Sequence, residues 1–254
     1  MPEMSLSTSA RLQASPIPNG GTPVEQWTGW EHRFAALDLA DCPGLTVIAP
    51  HPDDETLGMG ATVAMLRAAG VDVQLVSVTD GGAAYPGLDD RGRAALEGVR
   101  RAELRRAAEV LGAGDPVRLQ LPDGAVACHE QQLTERIADL FNDFPAGRWC
   151  AATWRGDGHP DHEAVGRAAA AAAARSGAVL IEYPVWMWHW AKPDDPAVPW
   201  HRARRIPLTA AALAAKTVAA QCFSSQIEPT PDAAPVLPPT VVHRLLAVGE
   251  VVFV

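Results

Sequence analysis

"LTVIAPHPDDETLGMGATVAMLRAAG" (45–70) holds two periodicities and one charge conflict. Its first six residues are a short apolar run bounded by turn residues, the pattern of a buried strand. From Glu55 onward, Leu57, Ala61, Ala64, Met65 and Ala68 recur at helical spacing, and Gly70 is well placed just past the end. Between strand and helix stand His51, Pro52 and three consecutive acids, Asp53, Asp54 and Glu55. Adjacent carboxylates repel one another, so something must offset the repulsion, and a cation is the obvious candidate.

The same alternation continues outward. Strands are expected at 71–82, 117–124 and 149–154, and helices at 100–114, 130–144, 161–177 and 209–226. Residues 178–190 read as a fifth strand or a longer extended segment, 191–207 as a proline-rich loop or lid, and 241–254 as a terminal helix or strand at the sheet edge. Strand–helix repetition at this pitch predicts βαβ units in an α/β fold: a three-layer Rossmann-like sandwich with a mostly parallel sheet, order 3-2-1-4-5, and a C-terminal extension. Residues 1–25, rich in Ser, Pro and Gly, are expected to form a flexible tail that adds little to a core, leaving 26–254 as a single domain.

The whole chain narrows the function classes. It has 254 residues and a net charge of −9, and its short Arg clusters form no basic stripe, so nucleic acid and anionic membrane are not expected partners. No apolar window approaches the ~20 residues of a membrane span, and no charged-then-apolar leader opens the sequence. Cys42, Cys128, Cys150 and Cys222 are far apart and form no CxxC pair, which predicts reduced thiols, a cytoplasmic location and no thiolate zinc site. The chain leaves an oligomer open.

In open α/β sheets, ligands sit beyond the C-terminal strand ends where strand order reverses. "HPDDE" (51–55) follows the first expected strand, and "GDGHPDH" (156–162) follows the fourth. In a 3-2-1-4-5 order these strands are neighbours, so the clusters meet in one crevice, each opening a helix whose N-terminal amides favour negative charge. Two histidines with one or two carboxylates suit a catalytic zinc site that keeps a position for water. His51 and Asp54 are three apart around a turn, and the third ligand comes from His159 or His162. Iron(II) or manganese fits the same donors.

"PHPDDE" with "GHPDH" resembles the signature of the PIG-L/LmbE-like zinc deacetylases, which remove acetyl groups from N-acetylglucosamine-type sugars. "VTDGG" (78–82), "RRAELRRAAEVLG" (100–112), "LPDG" (121–124) and "KTVAAQCFSSQ" (216–226) extend the resemblance over roughly 44–226. It implies His51, Asp54 and His162 as zinc ligands and Asp53 as general base. It further implies His159 facing the substrate carbonyl, to stabilise the oxyanion or protonate the leaving amine, and Asp161 holding a histidine in its working tautomer. Glu55 takes a supporting or helix-start role. The expected substrate is a small N-acylated amino-sugar conjugate; an amidase on a thiol–sugar conjugate or glycosylated natural product, or a non-catalytic metal-containing sugar-binding domain, are the alternatives. Phe223 departs from the His or Tyr that members often carry, so the resemblance implies no contact there.

Substrate contacts beyond the metal are less constrained. "YPVWMWHW" (183–190), read as a strand, puts Trp186, Trp188 and Trp190 on one face, either packed in the core or forming a wall with Trp200. Asp80, at the end of the second strand, Arg91 and Arg101 are candidates to hydrogen-bond a sugar, with Asp80 favoured by its position. His32, His129, His189, His201 and His243 each stand alone and are not expected to be ligands.

Overall fold

β1 (Gly44–Ala49) is buried along its whole length in the computed structural model of the chain. It lies mid-sheet with a parallel partner on each side, β2 (Asp72–Ser77) and β4 (Trp149–Thr153), in register from Gly44↔Asp72 and Leu45↔Trp149. That is why its sequence is continuously apolar rather than alternating. The structure describes residues 7–142, 144, 147–231 and 233–254; the first six positions of the expected tail and position 143 of the expected third helix lie outside them.

The sheet runs β3-β2-β1-β4-β5-β7-β6, with β3 at Val117–Arg118, β5 at Val179–Tyr183, β6 at Ala203–Arg205 and β7 at Val251–Phe253. The first five strands are parallel in the expected order, and β7 pairs antiparallel with both β5 and β6. Alternate strand residues feed the two covering layers. Leu45, Val47 and Leu75 pack with α2 (Asp54–Ala68), α3 (Asp90–Val110), α7 (Ala210–Ala220) and α9 (Pro239–Ala247). Ile48, Val76 and Cys150 pack with α4 (Glu130–Asn142) and α5 (Pro160–Ser176) on the opposite face.

Two glycines set the approach of the helices that carry the polar clusters. A Cβ on Gly58 of α2 would sit 2.2 Å from Tyr183, and one on Gly166 of α5 would sit 2.4 Å from the Thr153 carbonyl oxygen. Only glycine lets these helices cross the sheet so closely, and that crossing brings both their N-termini to the β1/β4 divide.

Several expectations are corrected. α3 starts at Asp90, ten residues early, because Asp89 caps it by accepting from Gly92 N at 2.7 Å. β3 stops after two residues, since Gln120 adopts φ 55°, although Leu119 and Leu121 still donate to Ser77 and Val78. The fifth strand ends at Tyr183: Pro184 follows, and the Asp157 carboxylate takes the amides of Val185, Trp186 and Met187 at 2.9–3.0 Å, winding the chain into α6 (Met187–Trp190). The tryptophans therefore do not share a strand face. Residues 191–207 contribute edge strand β6, and 241–254 hold most of α9 and all of β7. Residues 7–25 are folded onto the body: α1 (Thr8–Gln13) is followed by 3-10 turns, and Leu12 and Ile17 pack against the core.

The four cysteines are unpaired, Cys128 being exposed. Among the described residues, no helix is long and apolar enough to cross a membrane. A buried ion pair fastens the C-terminal extension to α2: Glu250 accepts from Lys216 Nζ at 3.0 Å and from the amides of Ala61 and Thr62 at 2.8 Å. Removing one partner of a buried pair strands the other charge. Lys216→Met is therefore expected to lower the unfolding free energy by about 3–5 kcal/mol, read from urea denaturation.

Candidate active site

The chain leaves β1 through a tight turn that α2 then caps. Asp54 Oδ2 accepts from the His51 amide at 3.1 Å and lies 3.1 Å from His51 Nδ1, so one carboxylate fixes both backbone and ring. Asp53 sits at φ 137°, a conformation that L residues rarely adopt and that costs about 1–3 kcal/mol. Two neighbours hold it there. The Glu55 carboxylate accepts from its amide at 3.1 Å, and Arg100 donates to its Oδ2 at 3.1 Å and to the Pro52 carbonyl at 2.9 Å. Glu55 thus supports the turn from a buried position.

The second cluster comes off β4. His159 caps α5, its Nδ1 accepting from Asp161 N at 3.2 Å. His162 is fully buried and donates from Nδ1 to Asp157 Oδ2 at 2.8 Å, so Asp157 orients the ring while also capping α6. Asp161 accepts from the Gly124 and Val126 amides at 2.8 and 3.1 Å and lies 3.4 Å from His51 Nε2. The clusters meet: ring centroids are 5.4 Å apart for His51 and His162, and 4.9 Å for His159 and His162.

Burial and mutual charge shift these groups strongly. Burial, over the opposing pull of Arg100, pushes Asp53 up to about 8, and burial lifts Glu55 to about 7. Asp54 falls well below the usual range: the nearby imidazoles outweigh the burial that would raise it. Burial alone would lower His162, but Asp54 and Asp157 overcome it and raise it to about 9. His159 goes the other way, lowered to about 3 by burial and by the facing histidines.

A cavity of about 250 Å³ opens over this cluster, lined on its polar side by His51, Asp53, Asp54, Arg100, Asp123 and His159. Other expected contacts lie elsewhere. Asp80 is engaged by Arg118 at 2.7 and 2.8 Å and by Arg101 at 3.2 Å, an ion-pair cluster outside the cavity lining. Trp188 is buried edge-on against Trp27, with centroids 4.9 Å apart, and Trp200 joins the same aromatic cluster. Trp186 alone of the proposed aromatic wall lines the cavity. Lys216 serves the Glu250 pair, Phe223 is buried in the core, and Gln226 on α8 (Ser224–Ile227) reaches the cavity.

Sequence reasoning passed over Asp157, Asp123 and Arg100. Asp157 lies in "GDGHPDH" (156–162) and Asp123 in "LPDG" (121–124), and Asp123 sits 3.1 Å from His51 Nε2. Arg100 directly precedes Arg101, and helical phase alone does not tell which of two adjacent arginines turns inward.

The region matching the family model described as PIG-L: GlcNAc-PI de-N-acetylase is residues 46–173, half of the chain, and it contains both polar clusters. The chain belongs to the PIG-L family. Relatives include a Mycobacterium avium 1D-myo-inositol 2-acetamido-2-deoxy-alpha-D-glucopyranoside deacetylase, 40% identical over 87 residues, 32% of this chain and 29% of that protein. A diacetylchitobiose deacetylase from Thermococcus kodakarensis is 27% identical over 153 residues, 56% of this chain and 57% of that one. The matches span less than two thirds of these relatives' lengths. The conserved protein TT1542 from Thermus thermophilus superposes with a TM-score of 0.57 at 27% identity, covering 79% of this chain and 84% of that one.

Within the PIG-L region, the donor set suits a divalent metal. Ligand atoms of His51, Asp54 and His162 all lie within 4.8 Å of one another, as do those of His51, His159 and Asp161. The first trio fits better. His162 Nε2 is buried without a hydrogen bond, 3.2 Å from Asp54 Oδ2, whereas the Asp161 oxygens already accept two backbone amides. An imidazole nitrogen without a hydrogen bond beside a carboxylate is an arrangement that a cation satisfies. Zinc added to metal-free protein is expected to raise the thermal unfolding midpoint, the stabilisation reaching about 2.7 kcal/mol at a hundredfold excess over Kd. His162→Ala should abolish the shift. Because His162 must lose a proton held up to about 9, metal affinity should fall as pH drops, measurable by calorimetry in buffers of different ionisation heat.

Proposed function

We propose that the chain is a divalent-metal-dependent amide hydrolase that removes the N-acetyl group from a small N-acetylglucosamine-type conjugate, with zinc as the favoured metal and iron(II) or manganese compatible with the donors. The observation that carries this reading is the convergence of His51, Asp54 and His162 with Asp53 beside them at one cavity. His51, Asp54 and His162 would hold the ion. When bound, it lowers the pKa of a water towards ~7 and polarises the amide carbonyl.

The side chains then divide the work. Asp53, pushed up to about 8 and lining the cavity, takes the proton of the attacking water as the new carbon–oxygen bond forms. The same proton passes from Asp53 to the sugar nitrogen as the carbon–nitrogen bond breaks, and the water's second proton stays on the acid, so acetic acid and a free amine leave, which in solution become acetate and an ammonium. His159 remains neutral at working pH. Its Nδ1 accepts from the Asp161 amide, which assigns the ring proton to Nε2, a donor for the oxygen on which negative charge develops. That favours oxyanion stabilisation over proton delivery to the amine. Arg100 fixes the Asp53 carboxyl rather than the metal, while Asp157 and Asp161 hold His162 and His51.

Asp53→Asn is expected to keep the metal, by plasma emission analysis of the purified protein, while acetate release from N-acetylglucosamine conjugates falls about 10²–10⁴-fold. Near-normal turnover in that variant would remove Asp53 from the role of base. In the natural chain, kcat/KM should decline on the acid side, since the base acts only when deprotonated. A bound cation favours the carboxylate, so the apparent pKa of that limb should lie below about 8.

A further inference from the structure

The family match begins at residue 46, yet one side of the cavity is closed by a residue far ahead of it. Ile17 opens the 3-10 turn Ile17–Asn19 and lines the cavity with Val185, Trp186, Val236 and Leu237. These five side chains come from three separate stretches of the chain, all outside the matched region. They face the charged groups described above. A site for a bare hydroxyl-rich ring would need several hydrogen-bond partners on this side too, whereas beside the Gln226 amide the chain supplies mostly hydrocarbon.

The turn is fastened from beneath by buried groups. His189 Nε2 donates to the Ser15 carbonyl at 2.9 Å, and Arg244 donates to His189 Nδ1 at 3.0 Å and also to the Gly20 carbonyl. Thr22 donates from its amide and its hydroxyl to the carbonyls of His189 and Ala191, at 2.9 and 2.6 Å. Upstream, Thr8 Oγ1 donates to Glu163 at 2.5 Å, one residue from His162, and Arg11 pairs with Asp195 at 3.0 Å. Both ends of the turn, Ser15 and Gly20, are thus held to the body, and Ile17 is presented from between them.

We propose that residues 15–20 are a specificity wall: with Val185, Trp186, Val236 and Leu237, Ile17 forms an apolar subsite for an alkyl or aryl substituent next to the scissile amide. The substituent is either an N-acyl chain longer than acetyl or an apolar aglycone, and the assignment rests on the amide-hydrolase reading above. The cavity of about 250 Å³ lies below the ~300–1,000 Å³ of sites for drug-sized ligands, so the occupant is a short apolar group rather than a lipid tail.

Two substrate series separate the sources. One is glucosamine carrying acetyl, propanoyl, butanoyl or hexanoyl groups; the other is N-acetylglucosamine carrying methyl, butyl or phenyl aglycones. In metal-loaded enzyme, Ile17→Asp is expected to lower kcat/KM for the apolar-substituted compounds about ten-fold more than for the N-acetyl methyl glycoside, through KM rather than kcat. The series that responds identifies the substituent. Ile17→Leu, which keeps the apolar volume, should retain the preference and guards against a folding defect in the Asp variant. Equal losses on every substrate, or no loss, with metal content and unfolding midpoint unchanged, would overturn the wall. Should the natural chain release no acid from any compound, the hydrolase reading falls, and calorimetric binding of the same compounds decides the wall separately. Tighter binding of the apolar-substituted members that Ile17→Asp removes would support it, and binding indifferent to the substituent would overturn it.

Discussion

One buried carboxylate between two imidazoles organises this protein. Asp54 Oδ2 stands 3.1 Å from His51 Nδ1 and 3.2 Å from His162 Nε2, and those histidines belong to strand ends more than a hundred residues apart. Such an arrangement is tolerable only if the surrounding chain prevents both rings from turning away. The fold does so by chains of support: Asp123 and Asp161 brace His51, Asp157 braces His162, and Arg100 braces the turn beneath. Each brace is itself tied to backbone groups, so the carboxylates of the cluster are paired, while His162 Nε2 is left without a hydrogen bond. Burial without that pairing would cost far more than the packing around it returns.

Much of this was readable beforehand, and for a physical reason. Strands β1 and β4 are covered on both faces, so their apolar runs announce themselves, and the polar residues that follow have nowhere to be but the crevice at the sheet's divide. The parallel order of the first five strands follows from the same alternation. What resisted reading was set by long-range hydrogen bonds. "YPVWMWHW" has a plausible strand period, and only Asp157, some 28 residues upstream of Val185, turns it into a helix. The start of α3 was hidden by Gly92 and Gly98, which weaken the helical pattern although Asp89 caps it. Residues 7–25 look like a tail because their composition is polar, yet their carbonyls are claimed by His189 and Arg244, whose roles are invisible without the fold.

The site was legible by residue type more than by contact. The two histidine–aspartate clusters stand out as a candidate site because metal chemistry draws on a narrow set of donors. Asp80 and Arg101 were reasonable by position, but Asp80 finds Arg118 on the neighbouring strand, and that pairing neutralises it away from the cavity. Trp188 was drawn inward by Trp27, whose indole N–H donates to the Trp188 carbonyl at 3.0 Å.

The double employment of Asp157 has an evolutionary reach. One of its oxygens serves the ring of His162, and the pair together gathers the three amides that shape the approach beside Trp186. The setting of the His162 ring and the entrance geometry hang from a single carboxylate. Lineages changing what enters this crevice are therefore free to redraw its far rim, built from the chain's two extremities, but not the stretch that Asp157 holds. Diversity among such proteins should accordingly collect at the ends of the sequence.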